Sequence, residues 1–298
     1  MTPVAVLGLG RMGRSIATRL LATGYDVRVW NRHRPKAESI VAAGATWAET
    51  PAQAATGAAA IYAMVTDDDA SAAVWSAADG ALTTASAGSL AIECSTLSAR
   101  HVEQLAAQAQ ARGLRYIDCP VTGLPDAAAA GTLALLVGAD TADLEHARPF
   151  LAAISNTIRH FGAVGAGTAY KLMINLMGTV QIAALAEGLA LAERLGLERE
   201  TVIDAVEHSA AASPQVVRYV RLMAEHARRA DPSFTTALRH KDAAYGVEMA
   251  ATVGAAVPLG EAATAWFATA TAIDPNADEA IVIDAMRGGR RARPRQNT

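Results

Sequence analysis

The chain has 298 residues, of which 52% are hydrophobic and 18% are charged, and its formal net charge is -3. This composition predicts a globular protein of about two domains, and it excludes both a disordered chain and a domain-wide basic surface for nucleic acid. The two cysteines, Cys94 and Cys119, have no metal-ligand spacing and form no Cys-x-x-Cys pair, so we expect neither a metal site nor a disulfide framework.

The first half of the chain alternates apolar runs of strand length with helical segments. The strand-like runs are residues 4–8, 26–30, 60–65, 90–94, 115–119, 133–137 and 157–161, and the first helical segments are residues 12–22, 35–43 and 68–77. Because the strand runs are continuously apolar and alternate with helices, the pattern predicts a parallel sheet that is buried on both faces.

The pattern changes after Gly162. Residues 168–194 contain no proline and predict a helix of roughly 40 Å, which is too long for one small core. Further helices are predicted at residues 201–208, 214–226, 237–252, 259–272 and 278–286. The fold class is therefore α/β: an N-terminal Rossmann-type doubly wound sheet (residues 1–163) joined by a long interdomain helix to an all-helical C-terminal domain (residues 164–298).

The apolar run and the chain ends bear on location. Residues 176–195 are interrupted by Gln181, Glu187, Glu193 and Arg194, which makes this run too polar to face lipid. No basic region precedes Val4, so we expect no signal peptide and a cytoplasmic protein. The arginine-rich residues 287–298 are interpreted as a disordered tail rather than a nucleic-acid-binding arm.

A glycine motif follows the first strand run and opens the first helix. The segment is Gly8-Leu9-Gly10-Arg11-Met12-Gly13. Gly8 permits a tight turn, Gly10 lets the backbone approach a pyrophosphate, and Gly13 lets the helix pack closely on the strand. Between a strand and a helix, this spacing predicts a dinucleotide site.

The end of the second strand run indicates which dinucleotide is bound. An NAD enzyme usually places Asp or Glu there, whereas this chain has Asn31-Arg32-His33-Arg34. The amide of Asn31 and the guanidinium groups of Arg32 and Arg34 suit a 2′-phosphate, so we predict NADP. We also place Met64 and Val65, which end the third strand run, among the cofactor contacts.

Two later segments favour chemistry over structure. Asp118-Cys119-Pro120-Val121-Thr122-Gly123 is a strand end that leads into a loop of small residues, at the sheet edge where ligands bind. Lys171 and Asn175 lie four residues apart in the predicted long helix, hence on one face, among apolar neighbours. A single lysine on a helix is usually a solvated surface residue, but an ammonium group buried beside an amide requires a reason.

In these segments the sequence resembles the β-hydroxyacid dehydrogenases, which include 3-hydroxyisobutyrate dehydrogenase and the glyoxylate and succinic semialdehyde reductases. The resemblance runs from the glycine motif to the helices near Pro258. Its other marks are Glu93-Cys94-Ser95-Thr96, the segment 118–123, Gly131-Thr132-Leu133, Gly167-x-x-x-Lys171-x-x-x-Asn175 and Lys241-Asp242.

The resemblance implies a role for each matching residue. Lys171 would be the general acid in carbonyl reduction and the base in oxidation, and Asn175 would orient the substrate oxygen. Thr122 and Gly123 would hold the substrate carboxylate. Thr96 would lie near the nicotinamide ribose, and Lys241 would close over the cofactor.

One departure leaves alternatives open. Relatives usually have Ser-Gly-Gly where this chain has Thr122-Gly123-Leu124, and a leucine does not readily take a positive φ. We therefore keep two alternatives to a small hydroxyacid or semialdehyde substrate: NADPH-dependent reduction of an apolar cyclic imine, and NADP binding without catalysis. An ammonium at Lys171 would repel an iminium cation, which disfavours the first of them.

Two further expectations concern assembly and the pocket. The apolar faces of the long helix exceed what one small domain can cover, which predicts a homodimer packed through the helical domains. Four apolar side chains are candidates for either the substrate pocket or ordinary core packing: Leu124, Tyr170, Phe234 and Trp266.

Overall fold

The computed structural model describes residues 1–288 and divides the chain into two compact units, the first formed by Met1–Leu172 and the second beginning at Met173. Within the described residues, the strands are β1 (Pro3–Leu7), β2 (Asp26–Trp30), β3 (Thr46–Trp47), β4 (Ala60–Ala63), β5 (Leu90–Glu93), β6 (Arg115–Asp118), β7 (Val121–Thr122), β8 (Leu133–Gly138) and β9 (Ser155–Gly162). The helices of the first unit are α1 (Arg11–Ala22), α2 (Glu38–Ala42), α3 (Pro51–Ala55), α4 (Asp68–Trp75), α5 (Ala99–Ala111), α6 (Pro125–Ala130) and α7 (Thr141–Ile154). Helix α8 (Ala166–Arg194) contains the boundary, and the second unit continues with α9 (Arg199–Glu207), α10 (Pro214–Ala224), α11 (Thr236–Thr252), α12 (Pro258–Ile273) and α13 (Val282–Gly288).

The strand order of the sheet is β3-β2-β1-β4-β5-β6-β8-β7, with β9 paired to β8. The first six strands in this order, from β3 at the edge to β6, are all parallel. The chain builds the sheet outward in both directions from the neighbours β1 and β4: β2 and β3 lie beyond β1, and β5 and β6 lie beyond β4. This is the doubly wound arrangement predicted from the sequence, and its ligand edge lies at the carboxyl ends of the strands.

The far edge of the sheet differs from the all-parallel prediction. Strand β8 pairs antiparallel with both β6 and β7, and only its pairing with β9 is parallel. The short connection through α6 explains the reversal, since a parallel return requires a crossover of a dozen or more residues. The sheet is therefore mixed.

Alternate residues of the central strands enter two separate cores. In β1, Val4 and Val6 belong to the core on one face, while Ala5 and Leu7 belong to the core on the other. All four side chains are fully buried, so the prediction of burial on both faces is confirmed for this strand. In strand β9, which pairs only with β8 among the described strands, four of the eight residues are exposed.

Helix α8 is, among the described residues, the one helix long and apolar enough by length and composition to cross a membrane. Half of its most apolar window is buried inside the protein. Ile182, Ala186 and Leu189 from this helix join the core of the second unit, together with Tyr219 and Phe267. Its burial is that of a core helix in a globular unit.

Some elements were not predicted, and one predicted boundary is wrong. The elements missed are β3, β7, α3, α5, α6 and α7, of which α7 includes Pro149 within the helix. The tail was predicted to begin at residue 287, but Arg287 and Gly288 belong to α13. Arg287 donates hydrogen bonds to Glu193 and Asp284, which hold it in place. The rest of the predicted tail, residues 289–298, lies outside the described residues.

Candidate active site

The glycine turn between β1 and α1 is shaped by close backbone contacts. Gly8 has φ +93°, and a Cβ there would lie 2.3 Å from the carbonyl oxygen of Met64. A Cβ on Gly13 would lie 2.0 Å from the carbonyl oxygen of Gly8. Gly10, in contrast, faces open space and precedes α1 without any side-chain cap. The turn therefore leaves room for a pyrophosphate at the beginning of α1, and these residues fit a dinucleotide.

Asn31 connects the second strand to this turn. Its Oδ1 accepts a hydrogen bond of 2.9 Å from the N–H of Leu9, and its Nδ2 donates to the carbonyl of His33 at 2.9 Å. Arg32, the next residue in the chain, is exposed. Gly10 and Arg11 of the glycine turn are exposed as well. The structure thus places the amide of Asn31 where it holds the glycine turn.

Arg34 lies over an aromatic ring and beside a carboxylate. Its guanidinium carbon is 5.6 Å from the ring centroid of Trp47, and its Nη1 is 3.5 Å from Oε1 of Glu49. The backbone of Glu49 is held by Trp30, whose indole donates to its carbonyl, and by Gln53, whose side-chain oxygen accepts its N–H. Glu49 was not identified from the sequence, because it follows β3 and is far from any motif.

The loops after β4 and β5 are joined by one buried carboxylate. The N–H of Val65 donates to Oγ of Ser95 at 2.8 Å, and the N–H of Ser95 donates to Oε1 of Glu93 at 3.0 Å. Oε2 of Glu93 accepts from Ser71 and Trp75, each at 2.9 Å. Burial raises the pKa of Glu93, and these hydrogen bonds oppose that rise. The carboxylate therefore fixes two loops that carry predicted cofactor residues: Met64, Val65 and Thr96, all half-buried.

Asp118 ends β6 and lies fully buried at the start of α8. Its Oδ2 accepts from the N–H groups of Thr168 at 2.9 Å and Gly165 at 3.1 Å, and its Oδ1 accepts from the Thr168 hydroxyl at 2.6 Å. Burial raises the pKa of Asp118 to about 6, against the effect of these hydrogen bonds. The carboxylate thus satisfies N–H groups at the beginning of the helix that carries Lys171.

The predicted carboxylate loop follows on the same chain segment. Thr122 and Gly123 are exposed, and Gly123 takes φ +138°. Leu124 has φ -101° and ψ 170°, which is ordinary extended backbone, and it precedes α6. The expectation that Leu124 would be strained by a positive φ is wrong, because in this loop Gly123 has the positive φ and Leu124 does not.

Lys171 lies in the first turns of α8 and is half-buried. Asn175 follows one turn later on the same helix, as predicted. In the second unit, Nδ2 of Asn175 donates to Oδ2 of Asp242 at 2.7 Å, and Nζ of Lys241 lies 2.9 Å from Oδ1 of Asp242. Sequence reasoning recognised Lys241-Asp242 as a mark but gave Asp242 no role, although it links the two predicted site residues of this unit.

A second buried network contacts the backbone carbonyl of Asn175. Arg239 donates from Nη1 to the carbonyl of Asn175 at 3.3 Å and from Nε to Oε2 of Glu279 at 2.5 Å. The hydroxyl of Tyr219 also donates to Glu279. This ion pair is enclosed within the second unit and braces the turn of α8 that carries Asn175.

The four apolar candidates have different surroundings. The ring of Tyr170 stacks on that of Phe161 at a centroid distance of 4.1 Å. Phe234 covers the guanidinium of Arg239 at 4.5 Å, and Trp266 packs against the core of the second unit. Leu124 is 46% exposed. Packing contacts are thus present for Tyr170, Phe234 and Trp266, whereas Leu124 is exposed; a role of these side chains in a substrate pocket stays a prediction.

A doubly wound sheet with a glycine-rich first turn defines the class of dinucleotide-binding proteins, to which nicotinamide-dependent oxidoreductases belong. Residues 3–162 match the family model for the NAD binding domain of 6-phosphogluconate dehydrogenase. Residues 165–286 match a second family model, described as "NAD-binding of NADP-dependent 3-hydroxyisobutyrate dehydrogenase". The chain belongs to the β-hydroxyacid dehydrogenase family and is an NAD(P)-dependent oxidoreductase.

Individual relatives agree with this membership. An NAD-dependent L-serine dehydrogenase of Pseudomonas aeruginosa is 32% identical over 90% of this chain and 91% of its own length. The solved structure of Mycobacterium tuberculosis 3-hydroxyisobutyrate dehydrogenase with L-serine is 31% identical, covers 96% of this chain and 99% of its own, and has a TM-score of 0.85. A Streptomyces aurantiacus imine reductase, 22% identical over 96% of this chain and 99% of its own with a TM-score of 0.62, shares the fold.

Proposed function

We propose that the protein is an NADP-preferring oxidoreductase that interconverts a small β-hydroxy acid and its semialdehyde, with Lys171 as general acid and base. The observation that carries the proposal is the link between Asp118 and the first turn of α8. It ties the helix that bears Lys171 to the strand that continues into Thr122 and Gly123.

The substrate class follows from chemistry that the relatives' names share. L-Serine and 3-hydroxyisobutyrate are both carboxylic acids with a hydroxyl group on the β-carbon. Relatives at 31–32% identity are named for these compounds or were solved with one of them. The exposed hydroxyl of Thr122 and the exposed backbone of Gly123 suit the carboxylate.

The residues on α8 suit the oxygen at the reacting carbon. Negative charge develops on this oxygen during reduction, and an ammonium donor at Lys171 stabilises it and supplies the proton. Asn175, one turn further along, orients the same oxygen. The bound nicotinamide supplies or accepts the hydride.

The cofactor preference rests on the turn after β2. Arg32 and Arg34 are exposed and suit the 2′-phosphate of NADP, while Asn31 positions the glycine turn that receives the pyrophosphate. The N–H groups at the start of α1, beyond Gly10, are the proposed pyrophosphate donors.

Assembly and location are part of the proposal. Near the end of α8, Leu191, Leu195 and the following Leu197 are 56%, 65% and 55% exposed, which favours a homodimer packed through the helical domains. Light scattering should give twice the 30.8 kDa of one chain, and a monomer mass at micromolar concentration would contradict this. We place the enzyme in the cytoplasm.

A paired assay tests the function. We expect NADPH oxidation with short semialdehydes or glyoxylate, NADP reduction with 3-hydroxyisobutyrate or L-serine, and slower or no turnover of cyclic imines. Lys171→Ala should lower kcat about 100-fold while NADPH affinity stays within about twofold. Turnover of imines alone, retained by Lys171→Ala, would assign the protein to the imine reductases. Cofactor binding without turnover of any carbonyl or imine would indicate a non-catalytic NADP-binding protein.

A further inference from the structure

Two buried carboxylates lie in register at the carboxyl ends of β5 and β6. Glu93 pairs with Asp118 across the two strands, and the residues are 1% and 0% exposed. Each accepts three hydrogen bonds, but from different parts of the first unit. The bonds of Glu93 come from Ser71 and Trp75 of α4 and from Ser95 after β5, whereas those of Asp118 come from Gly165 and Thr168.

The segment held by Asp118 is fixed from a second side by close backbone packing. A Cβ on Gly167 would lie 2.3 Å from the carbonyl oxygen of Leu136, and one on Gly138 would lie 2.8 Å from the N–H of Gly167. The first turn of α8 therefore touches β8 directly while its N–H groups point to Asp118. Such a turn has little freedom to shift unless one of these contacts is lost.

The turn fixed in this way leads directly to Lys171. Thr168 precedes Lys171 by three residues, which is just under one helical turn, so the two lie on neighbouring parts of the same face. On the other side, Asp118 is separated from Thr122 by three residues of the β6–β7 segment. One carboxylate thus connects the helix of the proposed general acid to the loop of the proposed carboxylate site.

We propose that Asp118 is a positioning residue for Lys171, because its carboxylate sets the first turn of α8 relative to the Thr122–Gly123 loop. The inference rests on the proposed function, in which Lys171 is the general acid and base. Asp118 itself contacts neither substrate nor cofactor in this scheme. A displacement of a catalytic group by about 1 Å is enough to lower turnover by about 100-fold.

The hydrogen-bond pattern defines variants that separate geometry from charge. In Asp118→Asn, the side-chain oxygen still accepts from Gly165 and Thr168, and the amide can donate to the Thr168 hydroxyl oxygen, so the turn stays in place. Asp118→Ala removes every bond. Thr168→Val removes only the hydroxyl bond and leaves the backbone bonds, whereas Thr168→Ser keeps all three.

We expect kcat to fall in proportion to the number of Asp118 hydrogen bonds that a variant loses. Asp118→Ala should lower kcat about 10- to 100-fold, Thr168→Val by a smaller factor, and the conservative Asp118→Asn and Thr168→Ser should stay within about threefold of wild type. NADPH affinity should not change in any of them. Asp140→Ala is the matched control, since Asp140 caps α7 through the N–H of Ala142 and serves no proposed site residue.

A double-mutant cycle distinguishes positioning of Lys171 from general loss of structure. In a Lys171→Ala background, Asp118→Ala should produce no further loss of kcat, because its effect operates through the missing ammonium. An equal loss in both backgrounds would overturn the inference while leaving Lys171 catalytic. If Lys171→Ala alone retained wild-type kcat, the proposed function would fail instead. Should Asp118→Ala not fold, Thr168→Val is used in the same cycle.

Discussion

The guanidinium of Arg34 lies 3.5 Å from the carboxylate of Glu49, so the basic turn after β2 contains its own competitor for an anionic ligand. Both side chains remain about two-thirds exposed (69% and 68%), which makes this a weak, solvent-screened pair. A 2′-phosphate binding at Arg34 must displace the Glu49 carboxylate or share the guanidinium with it.

Removing that competitor should favour NADPH. Glu49→Gln keeps the side-chain size and is expected to increase NADPH affinity about two- to fivefold, with NADH affinity unchanged, because NADH carries no 2′-phosphate. Fluorescence titration with both cofactors measures this difference. Glu145→Gln is the control, since Glu145 forms an exposed pair with Arg148 on α7. Equal changes for NADH and NADPH would contradict the assignment of Arg34.

Asn31 allows a converse test of the same site. In Asn31→Asp, a carboxylate oxygen can still accept the N–H of Leu9, so the glycine turn is kept, but negative charge is added beside the 2′-phosphate position. We expect NADPH affinity to fall about 10-fold or more while NADH affinity is retained or rises. Asn31→Ala removes the bond to Leu9 and should weaken both cofactors alike. A variant Asn31→Asp that loses NADH as strongly as NADPH would show that the residue serves only the turn.

Local patterns predicted the parts of the site that depend on local geometry. The glycine turn needs only the positions of Gly8, Gly10 and Gly13, and helix α8 needs only a long apolar repeat without proline. The antiparallel pairing of β8 was not predicted, because strand direction there depends on how the chain returns through α6.

Long-range partners were the other part that the sequence did not reveal. Asp118 stands out as an acid that closes an apolar strand, but its partners lie 47 and 50 residues further along the chain. Asn31 and Leu9 are 22 residues apart, so the sequence indicates a phosphate contact for the amide but not the support that it gives to the turn. In both cases the residue type was visible, and its contact depended on packing of the whole unit.

The ion pair between Arg239 and Glu279 should be important for the stability of the helical unit. Their side chains are 6% and 2% exposed, and removing one partner leaves the other charge buried and unpaired. Arg239→Met is therefore expected to lower the free energy of unfolding by about 3–5 kcal/mol, as measured by urea denaturation. The double variant Arg239→Met/Glu279→Gln should lose less than the sum of the single losses. Strict additivity would show that the two charges do not depend on each other.

Asp118 makes the stability of the first unit depend on pH in a direction that can be tested. Its pKa is raised by burial from 3.8 to about 6, so between these values the folded protein binds more protons than the unfolded chain. Stability from this group is accordingly greatest at low pH, falls as pH rises from about 4 to about 6, and is constant above that range. The full change is at most about 3 kcal/mol, from a shift of about two pKa units.

Asp118→Asn cannot ionise and lacks this dependence. The unfolding free energy of wild type minus that of Asp118→Asn, measured in urea at several pH values from 4.5 to 7, should therefore decrease as pH rises and then level off. A difference that grows with pH would mean that the folded state prefers the ionised carboxylate, and it would reverse the sign of the burial effect assigned to Asp118.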